Sequence, residues 1–102
     1  MKKFDFSSEP GVICGQENNK DLFIRKTVFE KGYSEESFHH HPNSFEFYLV
    51  LEGQITFANE TKEINASQNE MVYFEEAELH KITKVEEKVT MLLIKKNGAT
   101  KE

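Results

Sequence analysis

The chain has 102 residues, the size of one compact domain, and 27 of them are Phe, Leu, Ile or Val, enough for a small core. Charged residues make up 30%, mean hydropathy is −0.63, and no apolar run reaches the roughly 18 residues of a membrane helix, which excludes a helical membrane protein. A net charge of −5, with the 13 basic residues scattered, argues against nucleic acid or an anionic membrane surface as partner.

From the N-terminus, Met1-Lys2-Lys3 is followed by Phe4-Asp5-Phe6-Ser7-Ser8-Glu9-Pro10 where a secretory leader would need an apolar stretch, so the expectation is a cytoplasmic protein. Short apolar or alternating runs then recur about every 8–12 residues, the spacing of an all-β chain. They predict strands at Val12–Cys14, Asp21–Glu30, Ser37–His41, Phe45–Leu51, Gln54–Asn59, Lys62–Asn65, Met71–Phe74, Leu79–Val85 and Val89–Lys96. Breaks fall at Lys31-Gly32, Pro42-Asn43-Ser44, Glu52-Gly53, Asn65–Asn69 and Glu86-Glu87. No repeat or linker interrupts the series, which predicts one domain over 1–102, with 1–11 as a segment that could join an interface and 97–102 as a mobile tail. Cys14, the single cysteine, reads as a small strand residue, since nothing near it in sequence would lower its pKa.

His39-His40-His41 lies far from either terminus and needs an internal explanation. On a strand, successive side chains alternate, so His39 and His41 would share one face and His40 would point away to the surface or to a supporting position. Glu46 is the single acid within the apolar run 45–51, and a carboxylate there is costly to bury without a cation. His80 follows the acidic turn Glu75-Glu76-Ala77-Glu78, itself read as solvated. Three imidazoles and one carboxylate suit a first-row transition metal. Tyr48, two residues beyond Glu46 on the same face, is read chiefly as barrel filling.

His39-x-His41-x4-Glu46-x6-Gly53, with Gly32 upstream, resembles the first motif of the cupin superfamily, and Asn69, Glu75, Ala77 and His80 stand at the positions of its second motif. Gly32 lies one residue further from His39 than is usual, and the two glycines and the proline of the second motif are replaced. The resemblance spans roughly 32–94. It implies a small antiparallel β-barrel or jelly roll, the double-stranded β-helix, with His39, His41, Glu46 and His80 holding one divalent metal (Mn, Fe, Ni, Co, Cu or Zn). Small single-barrel cupins of this kind are often labelled as similar to mannose-6-phosphate isomerase.

The implied activity is that of a small metal-dependent enzyme, an oxygenase or a sugar-type isomerase or lyase, acting on a small oxygenated molecule chelated at the metal. Tyr48 is then the one candidate for a general acid or base. The alternative is a binding or sensing module that captures a small metabolite unchanged. With Glu46, Tyr48 and Val50 inside the barrel, Phe45, Phe47, Leu49 and Leu51 must lie outside and need a cover. Phe4 and Phe6 could supply it in cis, or a second copy could, which predicts a homodimer.

Overall fold

The computed structural model describes residues 1–15, 21–40 and 44–96. Among these the chain forms eight strands and no helix: β1 (Gly11–Cys14), β2 (Leu22–Phe29), β3 (Glu46–Glu52), β4 (Gln54–Asn59), β5 (Glu63–Ser67), β6 (Met71–Phe74), β7 (His80–Lys84) and β8 (Val89–Lys96). All pairings are antiparallel. A five-stranded sheet in the order β1-β2-β8-β3-β6 faces a three-stranded sheet in the order β5-β4-β7. This is the two-sheet closure of a jelly roll.

The alternation that marks β3 in the sequence is the one that builds the core. Glu46, Tyr48 and Val50 are buried while Phe47, Leu49 and Leu51 are half-buried. Cross-strand register carries this parity sideways, with Glu46 opposite Lys95 on β8 and opposite Phe74 on β6. The inner face therefore brings Tyr48, Val50, Val72, Phe74, Met91 and Leu93 against Ile55, Phe57 and Ile82 of the smaller sheet. Phe57, Ile55, Met91 and Val50 are fully buried, each burial contributing about 1.5–3 kcal/mol before entropy is charged against it.

The outer face of the larger sheet holds a second cluster around Cys14, Ile24 and Leu92. Phe4 packs on it beside Leu49, Leu51 and Ile94, and Lys26 Nζ donates to the carbonyls of Phe6 and Ser8 at 2.6 and 2.8 Å. The N-terminal segment thus covers part of this face in cis, through Phe4; Phe6 stays exposed. Cys14 is buried as a strand residue with its Sγ 3.5 Å from the Leu22 carbonyl.

Two expectations need correction or restriction. The predicted strand Ser37–His41 does not form over residues 37–40, where pairing is reduced to one antiparallel bridge between His39 and His80. The reason is local: residues 32–39 run along β7 with Gly32 N bonded to the Val85 carbonyl, Glu35 N to the Ile82 carbonyl and His39 N to the His80 carbonyl. Between these, the Glu35 side chain takes the place of a ladder carbonyl by accepting from Ile82 N. His41, Pro42, Asn43 and the tail 97–102 lie outside the described residues.

Candidate metal centre

Three of the four residues expected to hold metal are described; Glu46 and His80 meet between the sheets, and His39 lies beside His80. Glu46 begins β3 on its inner face and is 2% exposed. His80 begins β7 in the opposite sheet, equally buried, with its Nε2 2.8 Å from Glu46 Oε1. His39 is bridged to His80 by two backbone hydrogen bonds of 2.9 and 3.0 Å, and their rings meet edge to face at 4.5 Å. Its Nε2, however, is turned to Glu35 Oε1 at 3.2 Å. Among the described residues no three His, Cys, Asp or Glu side chains converge as metal ligands; His41 is not among them. His40 is exposed.

The orientation of His80 follows from its turn. Its Nδ1 lies 2.9 Å from the Glu78 carbonyl, which can only accept, so Nδ1 carries a proton and the ring turns Nε2 toward Glu46. Phe74 stacks on the other face of the ring at 3.9 Å and 10°. The turn itself is built without glycine or proline. Ala77 takes the left-handed conformation at φ 62°, Glu75 N donates to Glu78 Oε1, and Glu78 N donates to the Glu75 carbonyl. Asn59 of β4 donates to Glu78 Oε2 at 2.9 Å, and that bond holds the Glu78 carboxyl below its ordinary pKa. The acidic turn is thus more than a solvated loop, because Glu78 ties it to the sheet and aims His80.

The surroundings of Glu46 are cationic and apolar. Lys95, also buried, places its Nζ 4.0 Å from Glu46 Oε2 and 5.6 Å from the Phe23 ring centroid. Tyr48 packs between Phe57 and Phe74, with ring centroids 5.0 and 6.1 Å away, which agrees with a filling role. Burial, reinforced by the Glu46 charge, pushes the Tyr48 hydroxyl well above its ordinary pKa, so it keeps its proton at neutral pH.

Glu35 is the residue that sequence reasoning missed. It sits in a polar segment where an acid is ordinarily solvated, yet its Oε1 accepts from Ile82 N at 2.9 Å and its Oε2 from Tyr33 Oη at 2.8 Å. Burial works to raise its pKa, but the bonds from His39, Ile82 N and Tyr33 outweigh it and hold it at about 2. The bond to Glu35 in turn raises the pKa of His39. The spacing Glu35-x3-His39 was the only signal available, and it marks such a pair only if those residues share a face.

A family model described as a cupin domain matches residues 25–95. No curated protein sequence matches the chain significantly. Solved structures with the same fold include a cupin-2 domain containing protein from Shewanella frigidimarina, 22% identical over 89% of this chain and 82% of its own, with a TM-score of 0.70. An RmlC-like cupin family protein with a double-stranded β-helix fold from Methanocaldococcus jannaschii is 16% identical over 99% and 94% of the two chains, with a TM-score of 0.75. A predicted oxalate decarboxylase from Thermotoga maritima is 21% identical over 86% and 78%, with a TM-score of 0.73.

Proposed function

The chain belongs to the cupin family, and from that premise we propose that it is a metal-binding cupin acting on a small oxygenated molecule. The observation that carries this reading is the contact between His80 Nε2 and Glu46 Oε1, 2.8 Å apart and both nearly inaccessible to solvent. With Nδ1 committed to the Glu78 carbonyl, the other ring nitrogen faces a carboxylate oxygen. An imidazole nitrogen and a carboxylate oxygen this close need a proton or a metal cation between them. The donor chemistry, imidazole nitrogen with one hard oxygen, fits a divalent transition metal.

His39, His41, Glu46 and His80 would hold the ion. When bound, a divalent transition metal supplies a Lewis acid for a carbonyl, enediol or carboxylate and, if redox-active, a source of electrons for dioxygen. The chain's own contribution is orientation and exclusion of water. The Glu78 carbonyl fixes the His80 ring, Phe74 clamps it from one side, and Phe57, Phe74 and Tyr48 keep the inner wall dry. Tyr48, with its raised pKa, keeps its proton at neutral pH.

Loading the protein with each divalent metal in turn and offering diketone, thiol, carboxylate and sugar substrates tests the enzyme reading. Turnover by one metal form is the expected result. Thermal stabilisation by a compound recovered chemically unchanged, with no turnover by any form, would replace it with a binding module.

We also propose a homodimer. Phe45, Phe47 and Tyr73 form an aromatic cluster on the outer face, with ring centroids 4.8–6.2 Å apart around a shallow depression of about 300 Å³. Phe4 does not belong to this cluster, so it supports the presence of a second copy at that edge.

A further inference from the structure

The inner face of the larger sheet carries two cations beside Glu46. Lys95 of β8 stands directly opposite Glu46 on one side and Phe23 on the other, so the three side chains share that face. Arg25 stands opposite Leu93, a member of the inner core cluster, and faces the same way. Its neighbour Lys26 points outward instead, to the carbonyls of the N-terminal segment. Lys95 Nζ and the Arg25 guanidinium carbon lie 5.6 and 5.8 Å from the centroid of the same Phe23 ring. Lys95 is 8% exposed, whereas Arg25 is open to solvent. One cation is thus set deep and the other at the rim.

Burying an ammonium group is costly, and a strand position facing a core is ordinarily apolar. Glu46 accounts for only part of this, because Nζ stands 4.0 Å from its Oε2, an electrostatic contact too long for a hydrogen bond. A carboxylate that holds a divalent ion is already compensated, and a lysine beside that ion is a like charge. The lysine becomes favourable when something negative arrives with the ion. Charge balance points the same way. Glu35 and Glu46 bring two negative charges to this space and Arg25 and Lys95 two positive ones, so these four cancel and the charge of a bound divalent ion is left for a ligand to answer. The groups act on one another across it: the Arg25 charge is felt at the Tyr48 hydroxyl and the Lys95 charge at His39. Phe23, Tyr48 and Leu93 keep the wall apolar, which strengthens each charge interaction.

We propose that Lys95, with Arg25 at the rim, receives the negative group of the substrate, so that the small oxygenated molecule bound at this centre is an organic anion, a carboxylate or a phosphate ester. The proposal rests on the metal-binding reading above and adds the charge of the ligand to it. A lysine serving only as the counter-charge of Glu46 would alter the binding of charged and neutral ligands alike. The ratio between their affinities is therefore the informative quantity.

Calorimetry on the zinc-loaded full chain measures that ratio with two matched pairs, lactate against lactamide and glycerol phosphate against glycerol. Wild type should bind one anion at least about 10-fold more tightly than its neutral partner, and the pair in which this happens tells carboxylate from phosphate. Lys95→Met should lower the anion-to-neutral ratio about 10- to 100-fold, and Arg25→Gln, at an exposed position, about 2- to 10-fold, with zinc stoichiometry unchanged in both. Wild type that prefers neither anion overturns the proposal, as do variants that both keep the wild-type ratio. Should Lys95→Met fail to fold, Arg25→Gln decides alone, and an unchanged ratio there overturns it. Wild type that takes up no zinc, manganese or nickel sinks the metal-binding reading and this proposal with it; metal uptake without discrimination between anion and neutral partner sinks this proposal alone.

Discussion

Gly53 and Gly32 offer a controlled comparison of two costs that are usually confounded. Both hold nearly the same backbone angle, φ 89° and φ 90°, where an L side chain is strained by about 1–2 kcal/mol. A Cβ at Gly32 meets nothing within 4 Å. A Cβ at Gly53 lies 2.5 Å from the Lys88 carbonyl oxygen and 3.1 Å from Val89 Cα. Both are backbone atoms, one just before and one at the first residue of β8, and Val89 is fully buried, so no side-chain rotation relieves the clash. Forcing such an overlap into packed structure costs about a further 1–3 kcal/mol. Replacing glycine also restricts the unfolded chain, which offsets about 0.4–1 kcal/mol in each variant. Gly32→Ala should therefore lose about 1 kcal/mol and Gly53→Ala about 2–4 kcal/mol. Urea unfolding of the metal-free proteins at pH 7, with equal m values, reads the difference. Equal losses in the two variants would refute the reasoning, because only the contact with β8 distinguishes the sites.

Ala77 is the converse case: at φ 62° it pays the left-handed penalty that glycine avoids, so Ala77→Gly should stabilise the protein by about 0.5–1 kcal/mol in the same urea assay. Glu35 and His39 set a pH dependence in the metal-free protein. The depressed Glu35 pKa contributes stability that is present above about 4.5 and is lost as pH falls toward about 2. The raised His39 pKa contributes stability present below 6.5 and lost as pH rises through the folded value. The stability difference between wild type and Glu35→Gln should accordingly be greatest between these limits and shrink on both sides, as followed by thermal melts across pH. Tyr73→Lys, at the exposed aromatic cluster, should convert a dimer to a monomer by light scattering without lowering the melting temperature of the fold; a wild type already monomeric at micromolar concentration contradicts the interface.

Much of the fold was legible because strand burial has a period of two. The run 45–51 fixes the inner and outer faces of β3, and with them the exposure of Phe47 and the burial of Glu46. Asn69 and Ala77, which stand where the second motif has glycine, both have positive φ, a conformation that the alanine in particular does not announce in the sequence. The strand at 37–41 was misread because the stretch leading to His39 is tied to β7 partly by a side chain, Glu35, and side-chain substitutes for ladder carbonyls leave no periodic trace. The role of Glu78 was hidden for a similar reason, since its carboxylate closes its own turn and reaches Asn59, 19 residues away in sequence. The covering of the outer sheet was half legible: the need for a cover followed from β3, but only the tertiary structure distinguishes the part under Phe4 from the part around Phe47 and Tyr73.

The central claim is that His80 and Glu46 face each other across the space of a metal cation. Elemental analysis of protein purified without a tag or chelator, beside His80→Ala prepared identically, tests it most directly. The account predicts about one equivalent of a divalent transition metal per chain in wild type and its loss in His80→Ala. Wild type without stoichiometric metal, or His80→Ala retaining the full amount, would contradict it.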